Sequence, residues 1–215
     1  MRRARILLAD DDTLVVQGFQ KLLESTFELV GIVTDGRSLL DSAVRLRPEV
    51  IVLDISMPGL NGIDAARKLK KALPNVKLVF LTVHAKTAYV NEAFRIGASA
   101  YLIKRSAASE LIFAIKEALE GRHYLTTHVT KGLMDSVLGH SRDLPSKMFS
   151  GKLTDRQREV LQLVAEGRTA KEIAGLLDIS VRTVEYHKTG IMRALNLRST
   201  AELTKYAVEE GITAL

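Results

Sequence analysis

Five polar residues stand at the ends of short apolar runs, and their types define a chemistry. Asp10 and Asp11 follow Ile6-Leu-Leu-Ala, Asp54 follows Val50-Ile-Val-Leu, Thr82 follows Leu78-Val-Phe-Leu, and Lys104 follows Ala100-Tyr-Leu-Ile. Carboxylates gathered in one place raise each other's pKa, so three stay ionised together cheaply only with a cation among them. Oxygen ligands without histidine or cysteine suit Mg2+, which takes about six ligands and keeps some water. Lys104 adds a second positive charge and Thr82 a hydroxyl donor, both useful against phosphoryl oxygens. An Asp attacking a phosphoryl group would form an aspartyl phosphate, with ion and lysine balancing the developing charge. The set reads as a phosphoryl acceptor. Asp12, by contrast, reads as a helix cap, and Pro58 and Gly62 as turn residues without a chemical role.

These residues can converge only if the apolar runs are neighbouring strands. The runs at Ile6, Leu29, Val50, Leu78 and Ala100 alternate with segments of helical period, such as Val15, Phe19, Leu22, Leu23 and later Leu111, Ile112, Ile115, Leu119. Continuously apolar strands alternating with helices predict a doubly wound, five-stranded parallel sheet of flavodoxin-like type, covered on both faces. In such a sheet, ligand sites form beyond the carboxyl ends of strands where the strand order reverses. The predicted α/β domain occupies residues 1–121.

Composition narrows the function classes. The chain has 215 residues, enough for two small domains, and no cysteine, which excludes disulfides, thiolate metal sites and cysteine nucleophiles and suits a reducing cytoplasm. The basic start Met1-Arg-Arg-Ala-Arg precedes only four apolar residues before three aspartates, so it reads as the edge of a strand rather than an export signal. No stretch approaches the roughly 18 apolar residues of a membrane span. The net charge of +6 is no guide to a nucleic-acid site, because residues 151–215 carry ten basic and nine acidic side chains. Any such site must be a local face.

Residues 122–150 read as a linker with one short helix near Val129 to Leu138. Beyond it, residues 151–215 lose all strand signals and gain three capping boxes, Thr154-x-x-Gln157, Thr169-x-x-Glu172 and Ser199-x-x-Glu202. A fourth helix follows Asp178-Ile179-Ser180, giving a small all-α four-helix domain. On that helix Val184, Ile191, Leu195 and His187 share one face, while Arg182, Tyr186, Thr189 and Arg193 share the opposite one. From Ser180 to Arg198 there are four basic residues and Glu185 as the single acid. A helix, a three-residue turn and a basic exposed helix make a helix-turn-helix whose second helix can enter a major groove. The last helix, Thr200 to Glu210, has a stripe of Leu203, Tyr206 and Ala207 that suits either a dimer face or packing within its own domain.

The first set, Ile6-Leu-Leu-Ala-Asp10-Asp11, Asp54-Ile-Ser-Met-Pro-Gly-Leu-Asn-Gly62, Leu81-Thr82 and Tyr101-Leu-Ile-Lys104, resembles the receiver domain of two-component signalling. The resemblance implies that Asp54 is the phosphoacceptor, that Asp10, Asp11 and Asp54 hold Mg2+ with the Ser56 carbonyl, and that Thr82 and Lys104 stabilise the phosphate. It also implies that Thr82 and Tyr101 are a switch pair whose ring turns inward on activation. The second set, Leu153-Thr-Asp-Arg-Gln-Arg-Glu-Val-Leu, Glu166-Gly, Lys171-Glu-Ile-Ala, Leu177-Asp-Ile-Ser, Thr183-Val184-x-x-His187 and Ala194-Leu, resembles the LuxR-type DNA-binding domain. Together they resemble the NarL/FixJ regulators. That family implies a sensor histidine kinase as phosphodonor, double-stranded DNA as target, a homodimer once phosphorylated, and DNA contacts by Arg182, Thr183, Glu185, Tyr186, Lys188, Thr189 and Arg193.

Five residues depart from the family's commonest pattern, one of them Arg105, which follows Lys104 where Pro is frequent. Ser56 and His84 occupy positions whose side chains in this family face the attacking water and govern phosphate lifetime. Glu185 stands where Lys is usual, and Gly190 replaces a frequent Asn. A rival reading as an aspartyl-phosphate hydrolase is disfavoured because such enzymes generally carry a second Asp two residues after the first, where this chain has Ser56. A further alternative, a receiver that docks without phosphorylation, is opposed by the complete set of Asp10, Asp11, Asp54, Thr82 and Lys104.

Overall fold

The computed structural model describes residues 2–126 and 153–213. The expected linker helix lies outside them. In chain order the first part contains β1 (Arg5–Ala9), α1 (Thr13–Glu24), β2 (Glu28–Val33), α2 (Gly36–Leu46), β3 (Val50–Leu53) and α3 (Gly62–Ala72). It continues with β4 (Lys77–Thr82), α4 (Thr87–Ile96), β5 (Ala100–Ile103), α5 (Ala107–Leu119) and β6 (Tyr124–Leu125). The strands are parallel in the order β2-β1-β3-β4-β5-β6.

The period of two along each strand sorts side chains onto two faces. Ile6 and Leu8 of β1 pack with Val16, Phe19 and Leu23 of α1 and Leu111, Ala114 and Ile115 of α5. Leu7 and Ala9 face the other way, toward Leu39 of α2, Ile63 and Leu69 of α3, and Val90 of α4. Both faces are covered, which is why the strands are continuously apolar. The sixth strand extends the expected five. Its two residues, after Gly121-Arg122-His123, are too few to carry a pattern.

The second part holds α6 (Asp155–Ala165), α7 (Ala170–Leu177), α8 (Val181–Leu195) and α9 (Thr200–Glu209). Capping sets their starts. Thr154 with Gln157 and Thr169 with Glu172 form reciprocal boxes. The third box is half formed: Ser199 accepts from the Glu202 N–H, but the Glu202 carboxylate accepts from Arg198 N instead of Ser199 N. Leu203 and Ala207 of α9 are buried, and α9 packs chiefly on α6, so the stripe is used inside its own domain. One apolar cluster runs from the α2–α3–α4 face of the sheet into Val160, Leu161, Val184, Ile191 and Leu203 of the second part.

Candidate functional site

The crevice sits where the strand order reverses, at the carboxyl ends of β1 and β3. Asp10 follows β1, Asp54 follows β3, and the Asp54 N–H donates to Ala9 O at 2.9 Å, holding the two strand ends together. Ligand oxygens of Asp10, Asp11 and Asp54 lie within 4.8 Å of one another, the first and last buried and Asp11 exposed. Lys104 reaches across from the end of β5, with Nζ 2.7 Å from Asp54 Oδ2 and 3.0 Å from Asp10 Oδ1. Burial works against the Lys104 charge, but Asp54 and Asp10 outweigh it and raise its pKa. Burial also raises Asp10, a shift that the Lys104 bond only partly offsets, and it raises Asp11.

One lysine against three carboxylates leaves the crevice short of positive charge. Asp10 Oδ2 is buried and 2.8 Å from Lys104 Nζ, yet it accepts no hydrogen bond of good geometry, so it retains a free coordination position. An all-oxygen set of this kind fits a hard divalent cation. Gly62, expected to be a plain turn residue, is required by this packing: a Cβ there would stand 1.9 Å from the Asp54 carbonyl oxygen. Asp12 caps α1 as expected, its carboxylate accepting from Leu14 N and Val15 N.

Thr82 is fully buried at the end of β4 and accepts from the His84 N–H at 3.3 Å. Tyr101 is also fully buried, and its hydroxyl donates to His84 O at 2.7 Å. The ring thus lies inside the protein, with its hydroxyl satisfied by a backbone carbonyl. Ser56 Oγ lies 2.7 Å from His84 Nε2, joining the loop after β3 to the loop after β4. Burial pushes the His84 pKa down despite the opposing pull of Asp54. The Lys104–Arg105 peptide bond is trans.

On α8, Val184 and Ile191 are buried and Leu195 is half-buried, while Arg182, Glu185, Tyr186, Thr189 and Arg193 are exposed. Thr183 and Lys188 are half-buried. The Thr183 hydroxyl and its N–H are engaged by Ser180 at 2.8 and 3.1 Å, so Thr183 helps to start the helix. Tyr186, at 74% exposure, presents a large ring to solvent on the same face as the arginines. A Cβ at Gly190 would meet Gln157 Nε2 of α6 at 3.1 Å, so that side chain would have to give by a few tenths of an ångström.

Sequence reasoning missed the polar side of α6. Gln162, fully buried, donates from Nε2 to Met57 O at 2.9 Å and accepts from Asn61 N at 2.8 Å. Glu166 accepts from Gly59 N at 2.9 Å, and Arg158 donates to Asp64 of α3 at 2.9 Å. Lys68 pairs with Glu159 at 2.6 Å. Thus α6 is docked on the loop that leads away from Asp54. The one available signal is that Arg158, Gln162 and Glu166 recur every fourth residue, a stripe that also fits a solvated helix face.

Two family models match: the response regulator receiver domain over residues 6–116, and the luxR family of bacterial regulatory proteins over residues 151–207. The chain belongs to the NarL/FixJ family of response regulators. This regulator is 34% identical to oxygen regulatory protein NreC of Staphylococcus epidermidis over 214 residues, covering 97% of this chain and 98% of that protein. It is likewise 34% identical to NreC of Staphylococcus carnosus over 213 residues, with the same coverage of 97% and 98%. Among solved structures, the RcsB response regulator of Salmonella typhimurium aligns with a TM-score of 0.65 at 25% identity, covering 98% of this chain and 99% of that one. RcsB of Salmonella enterica serovar Typhimurium bound to promoter P1flhDC with phosphomimetic BeF3− aligns at TM-score 0.61 and 25% identity, covering 99% and 100%. The response regulator is a phosphorylation-dependent, DNA-binding transcriptional regulator served by a histidine kinase, rather than a classical enzyme. Among the described residues, no helix is long and apolar enough to cross a membrane.

Proposed function

We propose that the kinase's phosphoryl group is accepted by Asp54, with Mg2+ held by Asp10, Asp11, Asp54 and the Ser56 carbonyl, and that this modification controls how the reading helix is presented. The domain limits that go with this reading are a receiver at 1–121, a linker at 122–150 and the DNA-binding domain at 151–215, working in the cytoplasm. An Asp54 carboxylate oxygen bonds to phosphorus as the bond from phosphorus to the kinase's donor histidine nitrogen breaks, its electron pair leaving on the imidazole. Lys104 then exchanges a carboxylate partner for a phosphoryl oxygen, and the Thr82 hydroxyl turns toward the same group. When bound, the ion supplies the remaining positive charge against the phosphoryl oxygens. The protein later loses the group to water at its own crevice.

The observation that carries the proposal is the docking of α6 on Met57, Gly59 and Asn61, in the loop that begins at Asp54. A new dianion at Asp54 has to be accommodated by the platform that α6 stands on. The reading face of α8 is exposed while docked, so docking does not act by covering it. What docking fixes is orientation. Two-fold DNA sites require two reading helices about 34 Å apart, and a phosphorylated homodimer of released domains can meet that spacing. Arg182, Tyr186, Lys188, Thr189 and Arg193 then contact phosphates and bases, with Thr183 at the helix start and Glu185 as a candidate acceptor from a cytosine amino group.

The test is affinity for genomic fragments that the protein itself recovers, measured with and without beryllofluoride and Mg2+. The mimic should raise wild-type affinity by about tenfold or more, within the usual span of such couplings, and leave Asp54→Ala unchanged. Equal wild-type affinity in both states would end the gating claim while leaving DNA binding intact.

A further inference from the structure

The far end of α9 is wired to the neighbourhood of Asp54. The Tyr89 hydroxyl on α4 donates to Glu210 O, the residue that closes α9, and Lys86 Nζ donates to Glu209 O at 3.3 Å. The Tyr89 ring stacks on His84, with centroids 4.6 Å apart and planes 21° apart. His84 in turn bonds Ser56, two residues after Asp54, and its carbonyl is pinned by Tyr101. Gly211 makes the closest approach. Its φ of 62° lies in the left-handed region, and a Cβ would stand 1.7 Å from Tyr89 Oη and 3.4 Å from His84 Cε1. Ile212 beyond it is buried. A contact this tight fixes Tyr89, hence the His84 ring, hence the Ser56 hydroxyl.

That pair lies where it can matter for hydrolysis. Ala9, Leu53 and Leu81, which precede Asp10, Asp54 and Thr82, are fully buried, and Lys104 occupies the side toward Asp10. Ser56 and His84 come from the two loops that rim the mouth. In the hydrolytic step a water oxygen bonds to phosphorus as the bond from phosphorus to the Asp54 oxygen breaks. The electron pair returns to the carboxylate, and both water hydrogens leave on dihydrogen phosphate. A hydroxyl and a ring held still at the mouth orient that water, and loss of such positioning slows a reaction.

We infer that docking of the C-terminal end of α9 on Tyr89 holds Ser56 and His84 as water-positioning residues, so that docked molecules lose the phosphoryl group of Asp54 faster than undocked ones. This rests on Asp54 as the phosphoacceptor. The DNA-binding domain thereby resets the receiver: a molecule held open on DNA keeps its phosphate, and a molecule that closes sheds it. On this account whatever opens the contact lengthens the lifetime.

The experiment uses the full chain, labelled with a small radioactive phosphoryl donor and Mg2+, freed of donor and followed by decay of protein-bound label. Gly211→Ala, which alters only the DNA-binding domain, and Tyr89→Phe, which removes the bond to Glu210 but keeps the stack, should both slow decay by about threefold to tenfold. Uptake should change less than about twofold, because the carboxylates and Lys104 are untouched. Excess DNA should slow decay in wild type and add little in Gly211→Ala. Unchanged or faster decay in Tyr89→Phe, with cooperative thermal unfolding retained, overturns the inference even if Gly211→Ala fails to fold. A wild-type chain that takes no label at residue 54 overturns the phosphoacceptor reading itself, which separates the two failures.

Discussion

The crevice and the reading helix are built by opposite rules. In the crevice the buried charged groups have their positions dictated by one another: Lys104 bridges two buried aspartates, and the strand ends are tied by backbone bonds. On α8 the arginines, Tyr186 and Thr189 stand in solvent, oriented only by the buried Val184 and Ile191 beneath them. A site that must stabilise developing charge needs preorganised, desolvated groups. A site that meets a polyanion gains by leaving its cations hydrated and mobile until counterions are released. The same residue change should therefore cost folding in one region and only binding in the other.

The sharpest way to break this contrast is Lys104→Met. It leaves Asp10 and Asp54 buried without their cation, so phosphoryl uptake should fall by about a hundredfold or more. Folding stability without Mg2+ should fall by about 3 kcal/mol, read from urea unfolding, and Mg2+ should recover more stability than it confers on wild type. A variant as stable as wild type would mean that the crevice is not preorganised by this pair. On the other side, Arg182→Ala and Arg193→Ala should each weaken DNA binding and reduce the slope of log affinity against log salt by about 0.9 if each contacts one phosphate. Their stability should stay within about 0.5 kcal/mol of wild type, and a larger loss would show that α8 is structurally committed.

The smallest effect sharpens the comparison through pH. Glu92 on α4 is buried, which by itself raises its pKa, but bonds from Arg95 and Arg67 prevail and hold it below the usual carboxylate range. Because the folded-state value is depressed, its contribution is present above the unfolded value and is lost as pH falls through the folded one. Glu92→Gln should flatten the stability profile between about pH 5 and that lower value, while stability above pH 6 changes little with pH in either protein. An unchanged acid limb would remove Glu92 from the groups that hold α3 against α4.

Much of this was legible in the sequence because apolar continuity and carboxylates at strand ends are local signals. The five longer strands, the capping residues Asp12, Thr154, Thr169 and Ser180, and the split of α8 into buried and exposed faces all follow from spacing alone. What stayed hidden depends on contacts between distant residues. Arg158, Gln162 and Glu166 look like a solvated stripe until Asp64, Met57, Gly59 and Asn61 are placed against them. Gly62 looks like a turn until the Asp54 carbonyl arrives beside it. Ser199 and Glu202 match a capping box, but Arg198 offers a competing N–H that no pattern discloses.

The apolar cluster that passes from the α2–α3–α4 face into the helical part has one more consequence. Two units that share a seam of hydrocarbon lend each other stability, because parting them exposes apolar surface on both. If phosphorylation releases the helical part, as proposed, signalling works against that shared stability before it alters any gene.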